Sequence, residues 1–329
     1  MKRKIGKNAI KKMIGCATSP IARAYQVKND CLTAFVFHDV SNYPSRFALQ
    51  CNLNVSPETF RQQILWINKN FNVIHPQDLV TKTPLPKRAA LITFDDGFLG
   101  AFNNGLDFLI AEKIPSIMFL NMRAILEERP ILSAIIYYLD RYIHEFGDFT
   151  TSVGLSTPFH LTMTPYFFNL YEQSFGQIDF NAVLDYQGRF ANLETVKKWN
   201  DKNLVVYGNH LFDHWNAAAL TLEEFKDQYL RNQNALSQLS NSIELFSFTN
   251  GQPGSCFSDK YVNILNNLGS KKVFSSAGNR NSGSNKYLID RISLTEEDTD
   301  EDYLWFKFTR SIYGNVLSNF ITSTKNSTH

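Results

Sequence analysis

The chain has 329 residues, of which 43% are hydrophobic and 19% charged, so it can bury a large core and is not typical of a disordered polymer. Its net charge of +2 provides no overall field that would favour nucleic acid as a partner. The four cysteines lack CxxC spacing, which argues against a zinc ribbon or a disulfide scaffold, and no run of 18 apolar residues predicts a membrane-spanning helix.

The first 30 residues form a basic arm, with eight Lys or Arg side chains and no acid before Asp30. Ile5, Ala9 and Met13 could share one face of a helix, so residues 1–14 could associate peripherally with an anionic membrane. The alternative is a solvated basic arm, because the charges outnumber the apolar side chains. Since no apolar segment of a secretory signal is recognisable, we expect a cytoplasmic protein. It could also be attached peripherally to the inner face of the membrane.

Strands and helices alternate along most of the remaining chain. The predicted strands are short apolar runs, at residues 32–37, 71–74, 89–94, 116–120, 204–207, 245–248, 272–275 and 287–292. Helices are predicted from Pro57 onward, with Ser56 as the N-cap, and over residues 100–113, 221–240 and 258–268. Thr221 and Glu224 are predicted to form a capping box at the start of the helix over residues 221–240. Strand, helix and strand at this spacing form a βαβ unit, which predicts a parallel sheet with right-handed crossovers. Six or more such strands favour an α/β barrel over an open sheet.

Residues 123–198 interrupt this alternation. Residues 131–146 and 166–184 are helical in pattern, and the Thr-rich stretch between them, residues 149–165, is expected to be irregular. We interpret the segment as an insertion that could shape a substrate cleft but carries no chemical motif. The predicted organisation is therefore an arm (1–30), a first part of the barrel (31–122), the insertion (123–198), a second part of the barrel (199–295) and a C-terminal extension (296–329).

Two adjacent carboxylates, Asp95 and Asp96, end the apolar strand 89–94 and are followed by Gly97. Adjacent buried acids repel each other and lose hydration, so a fold keeps them only where a metal ion, a cation or hydrogen bonds offset that cost. The alternative is that one acid caps the next helix while the glycine forms the turn.

His210 and His214 lie four residues apart, also at a predicted strand end. On a helical turn they would share one face and could hold one divalent ion, although many such pairs are ordinary surface or capping histidines. Two imidazoles and one carboxylate leave a position open for water, a composition typical of catalytic zinc. A second carboxylate beside them would serve as the general base.

These motifs resemble those of the polysaccharide deacetylase family, the NodB-homology carbohydrate esterases. Residues 93–97 match the first motif, His210 and His214 match the second, and residues 248–251 resemble the third. Phe37-His38-Asp39-Val40, with residues 55–60, resembles the branch that includes poly-N-acetylglucosamine deacetylases, in which the catalytic acid is an N-terminal His. The resemblance covers about residues 32–122 and 196–292, and it implies a distorted (β/α)7-type barrel.

The resemblance also implies roles for particular residues. Asp96, His210 and His214 would bind one divalent metal ion, with zinc as the favoured element, and Asp95 would act as general base on the metal-bound water. The backbone N–H near Asn250 would help to bind the oxyanion.

The leaving amine would take a proton from His38 as imidazolium. After His214 only His329 remains, so a C-terminal catalytic His is effectively absent. The competing interpretation of His38 is a strand-end His bonded to a backbone carbonyl. The third motif lacks the family's Arg; Arg291 could replace it and hold Asp95 ionised, or could form an ordinary ion pair with Asp290 or a neighbouring acid.

The expected function is metal-dependent hydrolysis of the N-acetyl amide of a sugar, in surface-polysaccharide or glycolipid biosynthesis. An N-acetylated sugar or glycan is the expected partner, and nucleic acid is not. The alternatives are a catalytically weak glycan-binding protein of the same fold, or an enzyme that acts on O-acetyl esters or on non-sugar amides.

Overall fold

The computed structural model describes residues 9–20, 22, 31–199, 203–279, 281 and 286–313. Within these ranges, no helix combines the length and apolar character that crossing a membrane requires. The strands are β1 (Thr33–Phe37), β2 (Asp39–Val40), β3 (Asn54–Val55), β4 (Asn72–Val73), β5 (Ala89–Asp96), β6 (Ser116–Leu120), β7 (Val205–Asn209), β8 (Ser242–Ser247), β9 (Lys272–Ser275) and β10 (Leu288–Ser293).

The helices are α1 (9–20), α2 (Arg46–Gln50), α3 (Pro57–Asn70), α4 (Gln77–Val80), α5 (Asp107–Ala111), α6 (Met122–Glu127), α7 (Leu132–Tyr142), α8 (His144–Ser152), α9 (Phe159–Thr162), α10 (Pro165–Phe175), α11 (Phe180–Gln187), α12 (Leu193–Lys197), α13 (Leu222–Leu236), α14 (Asp259–Asn267) and α15 (Glu301–Tyr313). A π-helix at Ala101–Leu106 precedes α5, and a single 3₁₀ turn at Ala217–Ala219 follows β7.

Seven parallel strands close into a barrel, which confirms the predicted α/β barrel. Their order is β1, β10, β9, β8, β7, β6 and β5, and β5 pairs back with β1. Ala34 on β1 is in register with Leu91 on β5 and with Arg291 on β10. Strand β1 therefore separates β5 from β10, two strands whose side chains meet inside the barrel.

The barrel strands are buried on both faces, which explains their continuous apolar runs. Their inward side chains form one core cluster, whose members include Leu32, Ala34, Leu91, Ile117, Phe119, Leu245, Phe274 and Ile289. Outward side chains such as Phe35, Ile92 and Phe94 pack against the surrounding helices, α3 among them. The sheet is thus fixed from both sides, and its carboxyl-end edge is held rigidly.

Two helix starts have the predicted caps. Ser56 accepts a hydrogen bond from the Thr59 N–H at the start of α3, where Pro57 is the first helical residue. Thr221 and Glu224 form a reciprocal capping box at the start of α13.

The predicted insertion, residues 123–198, is mostly helical. It contains α7 to α12 and most of α6, and the stretch 149–165 is less irregular than expected because α8 extends into it and α9 lies within it. A large apolar cluster joins α7, α8, α10 and α11 to Phe246 of β8. The insertion is therefore packed on the barrel and shares a core with it.

Helix α1 packs against α15. A Cβ on Gly15 would lie 1.9 Å from the carbonyl oxygen of Asp302, so the two backbones approach closely, and Lys12 forms an ion pair with Asp300. Ile10 and Met13 remain exposed on the outer face. Of the predicted membrane-surface segment, residues 1–8 lie outside the described ranges.

Candidate active site

Asp95 and Asp96 are the last two residues of β5, and both are almost fully buried. Successive side chains of a regular strand point to opposite faces, so two adjacent residues could not both face one site. Asp96 has a left-handed backbone, with φ of 72°, and Gly97 follows with φ of 105°. This turn interrupts the alternation and lets both carboxylates border one cavity. Neither acid caps the next helix, which begins after Gly100 without a side-chain cap, so the capping interpretation is wrong.

Asp96, His210 and His214 form a buried cluster of potential metal ligands. Oδ1 of Asp96 lies 3.3 Å from Nε2 of His210 and 3.1 Å from Nε2 of His214. Each of the three residues offers one ligand atom that lies within 4.8 Å of those of the other two. Neither contact is a hydrogen bond by geometry, so among the described residues the buried Oδ1 has no hydrogen-bond partner. Burial raises the pKa of Asp96, but the two imidazoles outweigh that effect and the pKa falls well below its ordinary value.

The other ring nitrogen of each histidine is already engaged. Nδ1 of His210 lies 2.8 Å from the carbonyl oxygen of Ser247, and Nδ1 of His214 lies 2.7 Å from Oγ of Ser133. Since a carbonyl oxygen only accepts, Nδ1 of His210 must donate, which leaves Nε2 to face the cluster. Two imidazole nitrogens and one orphaned carboxylate oxygen are the donor set of a catalytic zinc site. The residues therefore fit a divalent cation.

Protons compete with a cation for this cluster. Burial lowers the pKa of His210, but Asp95 and Asp96 outweigh it and the pKa lies above its ordinary value. A cation at Nε2 must displace the proton that this position would otherwise take up.

The histidines do not lie on a helical turn, so that part of the sequence interpretation is wrong. Residues 210–214 form an irregular loop in which Leu211 and His214 have φ of 61° and 59°. Asn209 accepts a hydrogen bond from the Leu211 N–H at 3.0 Å, and Asn121 donates one to the Leu211 carbonyl, also at 3.0 Å. Side-chain amides and two left-handed residues shape this loop, and the ring centroids end 5.2 Å apart.

Arg291 forms a bidentate salt bridge with Asp95. Nη1 lies 2.7 Å from Oδ1 and Nη2 lies 2.6 Å from Oδ2, and the Arg291 side chain is fully buried. Its three remaining donors bind the Ser275 carbonyl at 3.1 Å, Oγ1 of Thr93 at 3.2 Å and Oγ of Ser276 at 2.8 Å. Burial raises the pKa of Asp95, but Arg291 first and His210 next outweigh it, so the pKa lies below its ordinary value.

Asp290 is not the partner of this guanidinium. Its carboxylate accepts hydrogen bonds from Oγ of Ser275 and from the backbone N–H groups of Ala277 and Asn279. The guanidinium of Arg291 therefore pairs with Asp95, the first of the two partners considered from the sequence, and not with Asp290.

His38 lines the same cavity, a space of about 290 Å³ that also borders Asp95, Asp96 and both cluster histidines. Within the described part of the chain its ring makes no hydrogen bond, so the predicted alternative of a bond to a backbone carbonyl is not found. Burial lowers the pKa of His38 below its ordinary value, although Asp96 and Asp95 act in the opposite direction. The neutral ring is therefore favoured at neutral pH before substrate binds.

Asn250 follows β8 and also lines the cavity. Its backbone is left-handed, with φ of 59°, and Gly251 continues the turn with φ of 63°. The described residues provide no acceptor for its backbone N–H, and its side-chain Nδ2 is buried without a hydrogen-bond partner. The turn therefore places a residue with two unpaired donors at the cavity wall.

Sequence reasoning missed the part of the cavity wall that comes from helices α2 and α7. Ser133 and Tyr137 extend from α7, and Phe47 and Cys51 belong to α2 and its C-cap. The i, i+4 spacing of Ser133 and Tyr137 indicates a shared helix face. Nothing in the sequence shows that this face meets a site built by strands elsewhere.

Three solved structures have a fold similar to that of this chain. IcaB from Ammonifex degensii has a TM-score of 0.55 at 17% identity, covering 85% of this chain and 98% of its own. Streptococcus pyogenes deacetylase PplD, solved in complex with acetate, has a TM-score of 0.56 at 12% identity, covering 84% of this chain and 98% of its own. A de-N-acetylase from Aggregatibacter actinomycetemcomitans has a TM-score of 0.52 at 15% identity, covering 84% and 98%. At these identities the likeness shows a common fold.

A comparison with curated proteins finds no significant match. A family model described as polysaccharide deacetylase matches residues 82–273, more than half of the chain. That range contains both acids of β5 and both cluster histidines. The chain therefore belongs to the polysaccharide deacetylase family, a class of hydrolases that cleave the carbon–nitrogen bond of N-acetyl groups on sugars.

Proposed function

We propose that the protein is a metal-dependent N-deacetylase of a sugar or glycan used in surface-polysaccharide or glycolipid biosynthesis. The observation that carries this proposal is the buried Asp96–His210–His214 cluster beside the Asp95–Arg291 pair, in one cavity. Of the structures with a similar fold, the Streptococcus pyogenes deacetylase was solved with bound acetate, and the Aggregatibacter actinomycetemcomitans protein is a de-N-acetylase. An acetyl group on nitrogen is accordingly the proposed site of cleavage.

Asp96, His210 and His214 would hold one divalent ion, and their nitrogen and oxygen donors favour zinc. When bound, such an ion polarises a carbonyl and lowers the pKa of a water molecule. The unpartnered Oδ1 of Asp96 supports this assignment, because a buried anionic oxygen without a partner is otherwise costly.

Asp95 is the proposed general base, receiving the proton that the attacking water loses. Its carboxylate is kept ionised by Arg291, and a base must be deprotonated to act. Arg291 also fixes both oxygens in place, so the base is oriented before substrate arrives.

His38 is the proposed acid that protonates the leaving amine. It is the cavity-lining imidazole that lies outside the ligand cluster, and its ring is free of hydrogen bonds within the described residues. Because burial favours its neutral form, we propose that it takes up a proton during turnover, close to Asp95 and Asp96 whose charges favour the imidazolium. The backbone N–H of Asn250 is the proposed donor to the oxyanion.

Peripheral attachment of residues 1–14 to the inner face of an anionic membrane stays a prediction. The exposed Ile10 and Met13 side chains are compatible with it.

The proposal is tested by acetate release. Purified protein would be loaded with zinc, analysed for metal content, and assayed on N-acetylglucosamine oligosaccharides and on O-acetylated glycans. We expect acetate from the N-acetylated substrates, loss of activity with a chelator and recovery on adding zinc. If the zinc-loaded protein releases no acetate from either panel, the proposed enzymatic function is contradicted and a glycan-binding role is favoured. Release from the O-acetylated panel alone would favour an esterase.

A further inference from the structure

Helix α7 of the insertion reaches the candidate metal centre. Ser133, in its first turn, is 4% exposed and lines the cavity, and its Oγ lies 2.7 Å from Nδ1 of His214. His214 comes from the loop after β7, so the two residues belong to separate parts of the chain. The contact links the insertion directly to one of the three clustered side chains.

The direction of this hydrogen bond follows from the other nitrogen of the ring. Nε2 of His214 points at Oδ1 of Asp96, 3.1 Å away, and must be unprotonated to bind a cation. The ring proton then resides on Nδ1 and is donated to Oγ of Ser133. The serine oxygen would fix both the tautomer and the rotation of the ring.

The helix is held firmly enough to serve this purpose. The N–H of Ile131, just before α7, donates a 2.7 Å hydrogen bond to Oε1 of Gln187, whose side chain is fully buried. Leu132 and Ile135 belong to the same apolar cluster as Leu211, which lies in the loop of His214, and Trp215, which follows it.

A second link joins the same two segments. Nδ2 of Asn216, two residues after His214, donates a 2.7 Å hydrogen bond to the carbonyl of Leu161 in α9. The segment of His214 is therefore hydrogen-bonded to the insertion at the ring itself and again two residues later.

We propose that Ser133 is a positioning residue of the metal centre, and that the insertion is part of this centre as well as of the cavity wall. The inference rests on the proposed function, since it assigns a role within the same site. It makes the geometry of His214 depend on a segment for which the sequence offered no chemical motif.

Zinc affinity of the full chain tests this inference without using turnover. Ser133→Ala is expected to weaken zinc binding about 10- to 100-fold in competition with a chromophoric chelator, the range typical for loss of such an outer partner. It should also alter the visible absorption bands of the cobalt-substituted protein. The matched control is Ser174→Ala in α10, whose hydroxyl donates to the Leu170 carbonyl of its own helix. This variant should leave the zinc affinity and the cobalt spectrum unchanged.

A pair of isosteric variants covers the case in which Ser133→Ala does not fold. Ser133→Thr keeps an acceptor oxygen and Ser133→Val replaces it with a methyl group of similar size, so Val should bind zinc at least about tenfold more weakly than Thr. Equal affinities in this pair, or a folded Ser133→Ala with wild-type affinity and cobalt spectrum, would overturn the inference. Failure of the proposed function would look different: wild-type protein would bind zinc and release no acetate.

Discussion

Arg291 and Asp95 lie on strands β10 and β5, which are separated by β1, and their side chains meet inside the barrel through two hydrogen bonds of 2.7 and 2.6 Å. Both side chains are buried, so each charge depends on the other for compensation. The pair ties the proposed base to the closure of the barrel. Its removal should consequently affect both stability and turnover.

Arg291→Met is expected to lower the free energy of unfolding by about 3–5 kcal/mol, because it leaves the Asp95 charge buried and unpaired. The double variant Arg291→Met/Asp95→Asn should regain most of that loss, since no uncompensated charge remains. Denaturant unfolding of both variants and of wild type measures this difference. Equal destabilisation of the single and double variants would show that the pair does not act as one unit.

His38→Gln should reduce amide hydrolysis by about 10²–10⁴-fold, because an amine leaves only after it is protonated. Hydrolysis of 4-nitrophenyl acetate should fall less than about tenfold, because that leaving group needs no proton. The control is His144→Gln, a change at an exposed ring on α8. If both substrates lose activity to the same extent, His38 is not the acid.

Asn250→Gly removes the side-chain amide but keeps the backbone N–H, so it distinguishes the contributions of these two donors. Glycine keeps the N–H and adopts φ of 59° without strain, so kcat should stay within about tenfold of wild type if the backbone binds the oxyanion. A loss of about 10²–10³ in kcat would instead assign that role to the side-chain amide.

Asp39 should make stability depend on pH. Burial raises the pKa of this carboxyl to about 6, so the folded protein holds its proton more tightly than the unfolded chain does. Stability should therefore fall as pH rises from about 4 to about 6, where only the folded state still binds the proton. Asp39→Asn should flatten this slope and raise stability at pH 7.5, by at most about 3 kcal/mol. Thermal unfolding across this pH range provides the test, and an unchanged slope in the variant would exclude Asp39 as its source.

The sequence predicted the elements of the barrel because its strands are strongly apolar and are separated by well-capped helices. Ser56 before α3 and the Thr221–Glu224 box before α13 are local signals, and both caps form as predicted. The position of Asp95 and Asp96 at the end of β5 could likewise be predicted from their immediate neighbours in the sequence. Such features depend on neighbouring residues, which a sequence displays directly.

The contacts that assemble the site are long-range, and there the sequence was less informative. The helical geometry predicted for His210 and His214 was wrong, because two left-handed residues and the amides of Asn121 and Asn209 shape a loop instead. Ser133 lies 81 residues from His214, and only the packing of α7 brings it there. The sequence left open whether Arg291 contacts Asp95 or another acid, and closure of the barrel places it against Asp95.

The central claim is that the two neighbouring acids have different tasks, with Asp96 binding the metal and Asp95 accepting a proton. Metal content and acetate release, measured together on Asp95→Asn and Asp96→Asn, test it most directly. We predict that Asp95→Asn keeps about one zinc per chain and loses turnover by at least about 10²-fold, whereas Asp96→Asn loses both. Loss of zinc from Asp95→Asn with retention in Asp96→Asn, or full turnover in either variant, would contradict this division.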